Sequence, residues 1–490
     1  MKIIALSPLP SSPASCGRPN FLGAKKWVAR TSRAMTAVGL MLCGSSALAQ
    51  PPAGVVAYVG NTGIPGPAPV LIQNAKIYTL GSQGTLANGE LLIMSGKIAR
   101  VDINSLPMPG AKIIDAKGKP VTPGLMVSNS ELGAIEIDLV GETNDSGPGQ
   151  DLSAFDADGT DSPTLKETIA SAAFDVSDAI NPNSTLIAVA RIRGVTRSLT
   201  APAIGSGVFS GHAAVIDLGL GPNLVEKTRV GMVANLEPAG GPGAPSRPLI
   251  WAQFREMMDD AREYQAQRAA YHRPGGARDQ RSSRIDLDAL ADVVEGREPL
   301  LVYVNRVSTI RQVLAYCRAN KIKLVILGGS EAWMAASDLA AAHVPVVIDT
   351  ELNLPNTFSD IGATLKNAAR LDAAGVLVAF QPQSNGLAHY ARTITQIAGN
   401  AVANGMKWDH ALAAITRNPA EIWGLADSYG TLEPGKDADV VIWDGDPLEV
   451  TSAPTAVFIK GQQMPMTSRQ TALRERYRDA AQQNPSAGYH

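Results

Sequence analysis

Two polar residues in the stretch PGLMVSNSELG, residues 123–133, could carry chemistry: Asn129 and Glu131 stand two positions apart. In an extended strand such a pair faces one side, which puts an amide and a carboxylate in whatever cavity the strand borders. A carboxylate there can act as general base on a water, a contribution of roughly 10²–10⁴-fold. Asp217, which closes the segment SGHAAVID, is a second such carboxylate. Together with Asn129 and His212, the two acids make an oxygen-rich set that suits a single magnesium, manganese or calcium ion. Their spacing does not demand one.

Other schemes find less support. None of the six histidines forms an H-x-H or H-E-x-x-H spacing. His490 is terminal, His272 lies in a charged insertion, His343 precedes a strand, His410 sits in the helical WDHALAA, and His212 and His389 stand apart. The serines of GSGVFSG lack a strand-to-helix nucleophile elbow and read as a glycine-rich rim loop. Cys317 falls in the apolar stripe of IRQVLAYCRA, a core position. Asp156, Asp158 and Asp161 lack the glycine and distal glutamate of an EF-hand loop.

The elements that must position these residues change period along the chain. VLIQNAKIYTL, GELLIMSGKIARVDI and AKIIDAKGKPVTPGL read as short strands with tight turns, and DADVVIWDGDP and PTAVFIKGQQM repeat that pattern near the other end. These predict one β-sandwich assembled from both chain ends. Between them, STLIAVARIRG reads as a helix capped by Ser184 and stopped by Gly194. From residue 300 strands alternate with helices: LLVYV, STIRQVLAYCRANK, KLVILGG, EAWMAASDLAAA, VPVVID, IGATLKNAARLDAAG, VLVAF. That rhythm predicts an α/β fold, a (β/α)8 TIM-like barrel with the composite sandwich. The charged run WAQFREMMDDAREYQAQRAAYHRPGGARDQ reads as a solvated excursion from it.

The chain has 490 residues, 45% hydrophobic and 18% charged, with a net charge of −2. Such a balance leaves no footprint for nucleic acid or an anionic membrane; a small-molecule ligand or peptide is the expected partner. Lys25, Lys26, Arg30 and Arg33 precede the apolar run AMTAVGLMLCGSSALA, which ends in Ala47-Leu48-Ala49. This reads as a signal peptide over residues 1–49, although its basic lead is long, and predicts a periplasmic or secreted chain cleaved near Ala49 with no membrane span left. Only Cys317 of three cysteines then remains, so stability rests on packing. The expected domains are residues 50–122 with 430–467 for the sandwich, 123–429 for the barrel, and a helical tail over 468–490.

The segment NAVANGMKWDHALAAITRNPAEIWGLADSYGTLEPGKDADVVIWDGDPLE resembles the C-terminal block of amidohydrolase-superfamily enzymes, especially the imidazolonepropionase-like group. VTPGLMVSNSELG resembles the opening of their first barrel strand. The resemblance runs in order from about residue 70 to 465 and implies metal-assisted hydrolysis of C–N bonds in amides, cyclic amides or peptides. It also implies where the metal residues belong, and the pattern fails there. The family follows Pro-Gly-Leu with Asp and His-x-His; Val127, Asn129 and Glu131 stand at those places. Asp217 replaces a metal-bridging lysine, Tyr303 or Asn305 a strand histidine, Gly328 a second histidine, and Gln381, Pro382 and Gln383 a metal-binding aspartate.

A bound metal lowers the pKa of water to about 7, which a carboxylate alone cannot match. The expectation is therefore a barrel that keeps the framework without the metal: a non-catalytic ligand-binding module, or the partner of an active homologue or of a second copy. Its pocket would use Asn129, Glu131, Asp217, Tyr303, Asn305, Gly328 and Gln383. Glu131 and Asp217 would be the residues for any surviving catalysis, with no cofactor expected. The alternative is an active hydrolase holding one divalent cation in a rearranged oxygen-ligand site.

Overall fold

Strands at the two chain ends meet because each buries one face. In the computed structural model, β1 (Val70–Tyr78), β2 (Thr85–Met94), β3 (Lys97–Asp102), β4 (Lys112–Asp115) and β5 (Pro120–Pro123) are joined by β14 (Val440–Trp443), β15 (Pro454–Ile459) and β16 (Gln462–Gln463). They form one eight-stranded sheet in the order β16-β15-β14-β5-β1-β2-β3, with β4 paired to the β5 edge of β1. Ile72, Ile77, Leu91, Ile98, Val121, Val440 and Phe458 make its core. The junction between chain ends is the antiparallel pairing of Val121, Thr122 and Pro123 with Ile442, Val441 and Val440. The structure describes residues 68–103, 109–137, 140–147, 171–205, 207–238, 245–267, 282–352, 354–382 and 388–483. The signal-like segment, Asp156, Asp158, Asp161, His272 and Gln383 lie outside these.

A second eight-stranded sheet forms the barrel: β6 (Leu125–Ser130), β7 (Val195–Thr200), β8 (Phe209–Asp217), β9 (Val225–Asn235), β10 (Leu300–Val304), β11 (Leu324–Gly328), β12 (Val346–Ile348) and β13 (Val378–Phe380). β13 comes back against β6 and nearly closes the ring. Met126, Leu199, Ala213, Val215, Val233, Leu301, Leu327, Val347 and Ala379 fill the interior, and Ala420, Trp423 and Tyr429 plug its base. The outer face packs on helices α1 (Thr185–Arg191), α2 (Arg247–Ala266), α3 (Arg284–Val294), α4 (Val307–Asn320), α5 (Ala336–Ala341), α6 (Asn367–Ala373), α7 (Ile394–Ala403) and α8 (Trp408–Ala413), while α9 (Arg417–Ile422) carries Ala420 of the basal plug.

Three local readings change. The barrel is not eight uniform βα units, because β8 runs antiparallel to both β7 and β9. Gly211 in β8 has φ 116, and a Cβ there would collide with the carbonyl of Phe174, so only glycine fits. The described part of the charged run, up to residue 267, is no solvated excursion: α2 buries Ile250, Trp251, Phe254, Met258, Ala261 and Tyr264 in the outer layer, and the rest of the run lies outside the described residues. The polar residues on the other face of α2 hid that stripe. Ser184 does not cap α1 through its side chain; its hydroxyl donates to the Ile135 carbonyl at 2.6 Å.

Arg197 fastens the barrel base to the other sheet. Its guanidinium meets Asp439 at 3.1 Å, Asp437 at 2.8 Å and Glu226, and lies over the Tyr429 ring at 4.6 Å. After the sheet, α10 (Arg469–Gln483) ends the described chain. Among the described residues no helix is long and apolar enough to cross a membrane.

Candidate functional site at the barrel mouth

The C-terminal ends of parallel barrel strands gather functional groups in this architecture. β6 would turn Asn129 outward, with Leu125 and Val127, if it were regular. The register shift between Val127 and Ser130 breaks that parity. Asn129 instead reaches across the barrel, where its Nδ2 donates to the Tyr303 hydroxyl on β10 and to Gln381 Oε1 beyond β13 at 3.1 Å. Glu131 lies close enough to Tyr303 for its charge to act on the phenol. Burial pushes the Tyr303 phenol up, against the Asn129 hydrogen bond, and Glu131 adds to the rise. Tyr303 therefore stays protonated at any ordinary pH.

Gln381 is buried, and its Nε2 finds no hydrogen-bond partner among the described residues; the same holds for Ser128 Oγ. Buried polar atoms in that state are uncommon. Asn305 plays a structural part: its Oδ1 accepts from Ser330 N at 3.2 Å and Ser330 Oγ at 3.1 Å. Gly328, with φ 87, leaves room for it, since a Cβ there would stand 2.7 Å from Asn305 Oδ1. Both residues shape the mouth through the backbone.

Asp217 does not belong to this group. Because β8 is antiparallel, its last residue pairs with Arg197 near the start of β7, at the base. There its carboxylate takes Lys460 Nζ at 2.7 Å and Gly219 N at 2.8 Å. Expecting it beside Glu131 assumed a parallel strand. His212, on the same strand, is buried with Nδ1 2.8 Å from Glu298 Oε1 and Nε2 2.7 Å from Arg229. Burial holds the Glu298 carboxyl above its ordinary range despite that histidine.

The structure adds acids that sequence reasoning missed. Glu237 follows β9 and accepts from Asn305 N at 2.6 Å and Arg306 N at 3.2 Å. Asp349 follows β12 and accepts from Glu351 N at 2.8 Å. Burial pushes the Asp349 carboxyl up; burial, then the Asp349 charge, does the same to Glu351. The signal was present in VVIDTE: two carboxylates two apart after an apolar strand, the pattern that drew notice to Asn129 and Glu131.

Residues 325–465 match the amidohydrolase family. A solved amidohydrolase from Thermotoga maritima shares the fold at a TM-score of 0.68 and 23% identity, over 82% of this chain and 100% of that one. The family match thus covers the C-terminal part of the chain, and the barrel fold is shared with that enzyme. The chain's curated similarities are local and imidazolonepropionase-like. An imidazolonepropionase of Brucella anthropi is 37% identical over 93 residues, 19% of this chain and 23% of that protein. Amidohydrolase tasK of Hapsidospora irregularis is 44% identical over 57 residues, 12% of this chain and 6% of that protein. The chain thus spans less than a quarter of the length of these relatives.

The described residues of the mouth do not fit a metal centre of the kind the resemblance implies. Two carboxamides and a protonated phenol, bonded to one another, stand where the resemblance implies anionic or imidazole donors. Among the described residues no three histidines, cysteines or acids gather where they could hold a metal ion. The arrangement can donate to and accept from a neutral polar group, and Glu131 or Asp349 can take up a proton.

Proposed function

We propose that this chain is an exported amidohydrolase-superfamily barrel that binds a neutral small molecule or peptide in its mouth and does not hydrolyse it with a metal. One observation carries the reading: the hydrogen-bonded bridge from Asn129 to Tyr303 and Gln381 across the positions that the resemblance assigns to metal binding. The unpartnered Gln381 amide supports a ligand carrying a carbonyl or amide, which would complete it. An active homologue, or a second copy of this chain, is the proposed partner that would supply hydrolysis.

Elemental analysis tests it, on protein purified without chelator and again after incubation with zinc, manganese and magnesium. Less than a tenth of an equivalent, with no chelator-sensitive turnover of dipeptides or cyclic amides, is the expected result. Stoichiometric metal together with such turnover would overturn the proposal in favour of a rebuilt oxygen-ligand site. Cell fractionation and N-terminal sequencing test export, with a mature start after Ala49 expected.

A further inference from the structure

A separate cavity lies at the end of the barrel away from the mouth. About 670 Å³ in volume, it opens where β9 to β12 begin and α4 and α5 end. Cavities of this size take small molecules. Val230, Leu314, Ile322, Val344 and Trp423 give it an apolar wall. Around that wall stand Lys227, Arg297, Arg318, Lys323 and His343, against one carboxylate, Glu421.

Some of these cations have duties already. Arg297 is held by Asp292 and Glu295, and Lys227 donates to the Trp423 carbonyl at 3.0 Å. Arg318 and Lys323 are exposed and meet no carboxylate among the described residues. Basic residues beside helix C-termini often serve the final carbonyls, but here the backbone does that work. Lys321, with φ 57, turns the chain so that Ile322 N reaches Cys317 O at 2.9 Å. His343, with φ 52, does the same for α5: its own N reaches Ala340 O and Val344 N reaches Leu339 O, both at 3.0 Å. Arg318 and Lys323 are left facing solvent at an apolar cavity.

We propose that this basal cavity binds a small amphiphilic anion, an aryl or alkyl carboxylate. Its apolar part would lie on the Leu314, Ile322 and Trp423 wall, and its carboxylate beside Arg318 and Lys323. The apolar wall selects against a bare inorganic oxyanion, which would gain nothing from it. The site is independent of what the mouth does.

The test is calorimetric titration of the full chain with phenylbutyrate, phenylbutanol and inorganic phosphate, repeated on the R318E/K323E variant. Both positions are exposed, so the variant should fold, and its unfolding midpoint checks this. Expected is saturable one-to-one binding of phenylbutyrate that weakens with salt. The variant and the alcohol should each bind at least about tenfold more weakly, a loss of about 1.4 kcal/mol. Phosphate should not compete. The proposal is overturned if phenylbutyrate shows no saturable binding, if the alcohol binds equally well, or if the folded variant binds as the parent does.

Discussion

Replacing Arg197 by methionine should destabilise the protein by about 3–5 kcal/mol, the range for stripping one partner from a buried ion pair. The structure says why the loss is that of one charge rather than three. Asp437 keeps Lys97 at 2.6 Å, and Glu226 keeps Lys460 at 2.6 Å. Asp439 has a side chain 1% exposed and, among the described residues, no other cationic side chain; the backbone N–H of Lys460 at 2.8 Å is what remains to it. Burial opposes the Arg197 charge, yet Asp439 and Asp437 more than reverse that, so Arg197 stays charged. In the variant the Asp439 carboxylate is left buried without a cation among the described residues. Burial pushes the Asp437 carboxyl up, but Lys97 and Arg197 together hold it low; the stability this gives is lost on acidification, which narrows the gap between wild type and variant. Urea unfolding at pH 7 and pH 5, with unchanged slope, measures both effects. R197M/D439N removes the orphaned charge and should recover at least about half of the loss. A loss below about 1 kcal/mol, or a double variant no better than the single, would refute the reasoning.

Gly211→Ala should cost at least about 3 kcal/mol, because both φ and the Phe174 carbonyl forbid a Cβ; a denaturation midpoint near wild type would count against the β8 geometry. Burial pushes the Cys317 thiol up to about 12, so peptide mapping after iodoacetamide at pH 8 should find it unmodified in folded protein and modified in urea. Thr431 and the Ser82 amide hold the Glu433 carboxyl at about 2, below its unfolded value of about 4.3. Its stabilisation is complete above the unfolded value and is lost as pH falls towards the folded one. The gap between wild type and Glu433→Gln should therefore shrink over that window, and a constant gap in urea midpoints would argue against it.

The two-sheet architecture was legible because period-two alternation in β1 to β5 and short apolar strands from residue 300 onward report burial directly. The reversal of β8 was not. Phe209 to Asp217 is buried throughout, and a strand covered on both faces reads the same in either direction. Asp217 went to the wrong end of the barrel with it. Asn129 was legible for an incomplete reason: strict alternation placed it with Glu131, but a register shift is what turns it across the barrel. Gln381 came from the resemblance, whereas Asp349 and Glu237 follow apolar strands and could have been found by asking what stands just past each one. The partnership of Arg197 with Asp437 and Asp439 joins residues more than two hundred positions apart, and no local pattern reports that.

The sheet built from both chain ends imposes an order in time. On the ribosome, Val121 to Pro123 emerge about 300 residues before their partners Val440 to Ile442, on the order of 15–60 s at about 5–20 residues per second. For that interval the flank of β5 that will receive β14 presents unmet N–H and C=O groups, a template for wrong pairing. The intervening barrel segments have contacts closer in sequence and can assemble while the first strands wait. Loss of the last few dozen residues would thus do more than shorten the protein: it would leave its first sheet permanently unfinished.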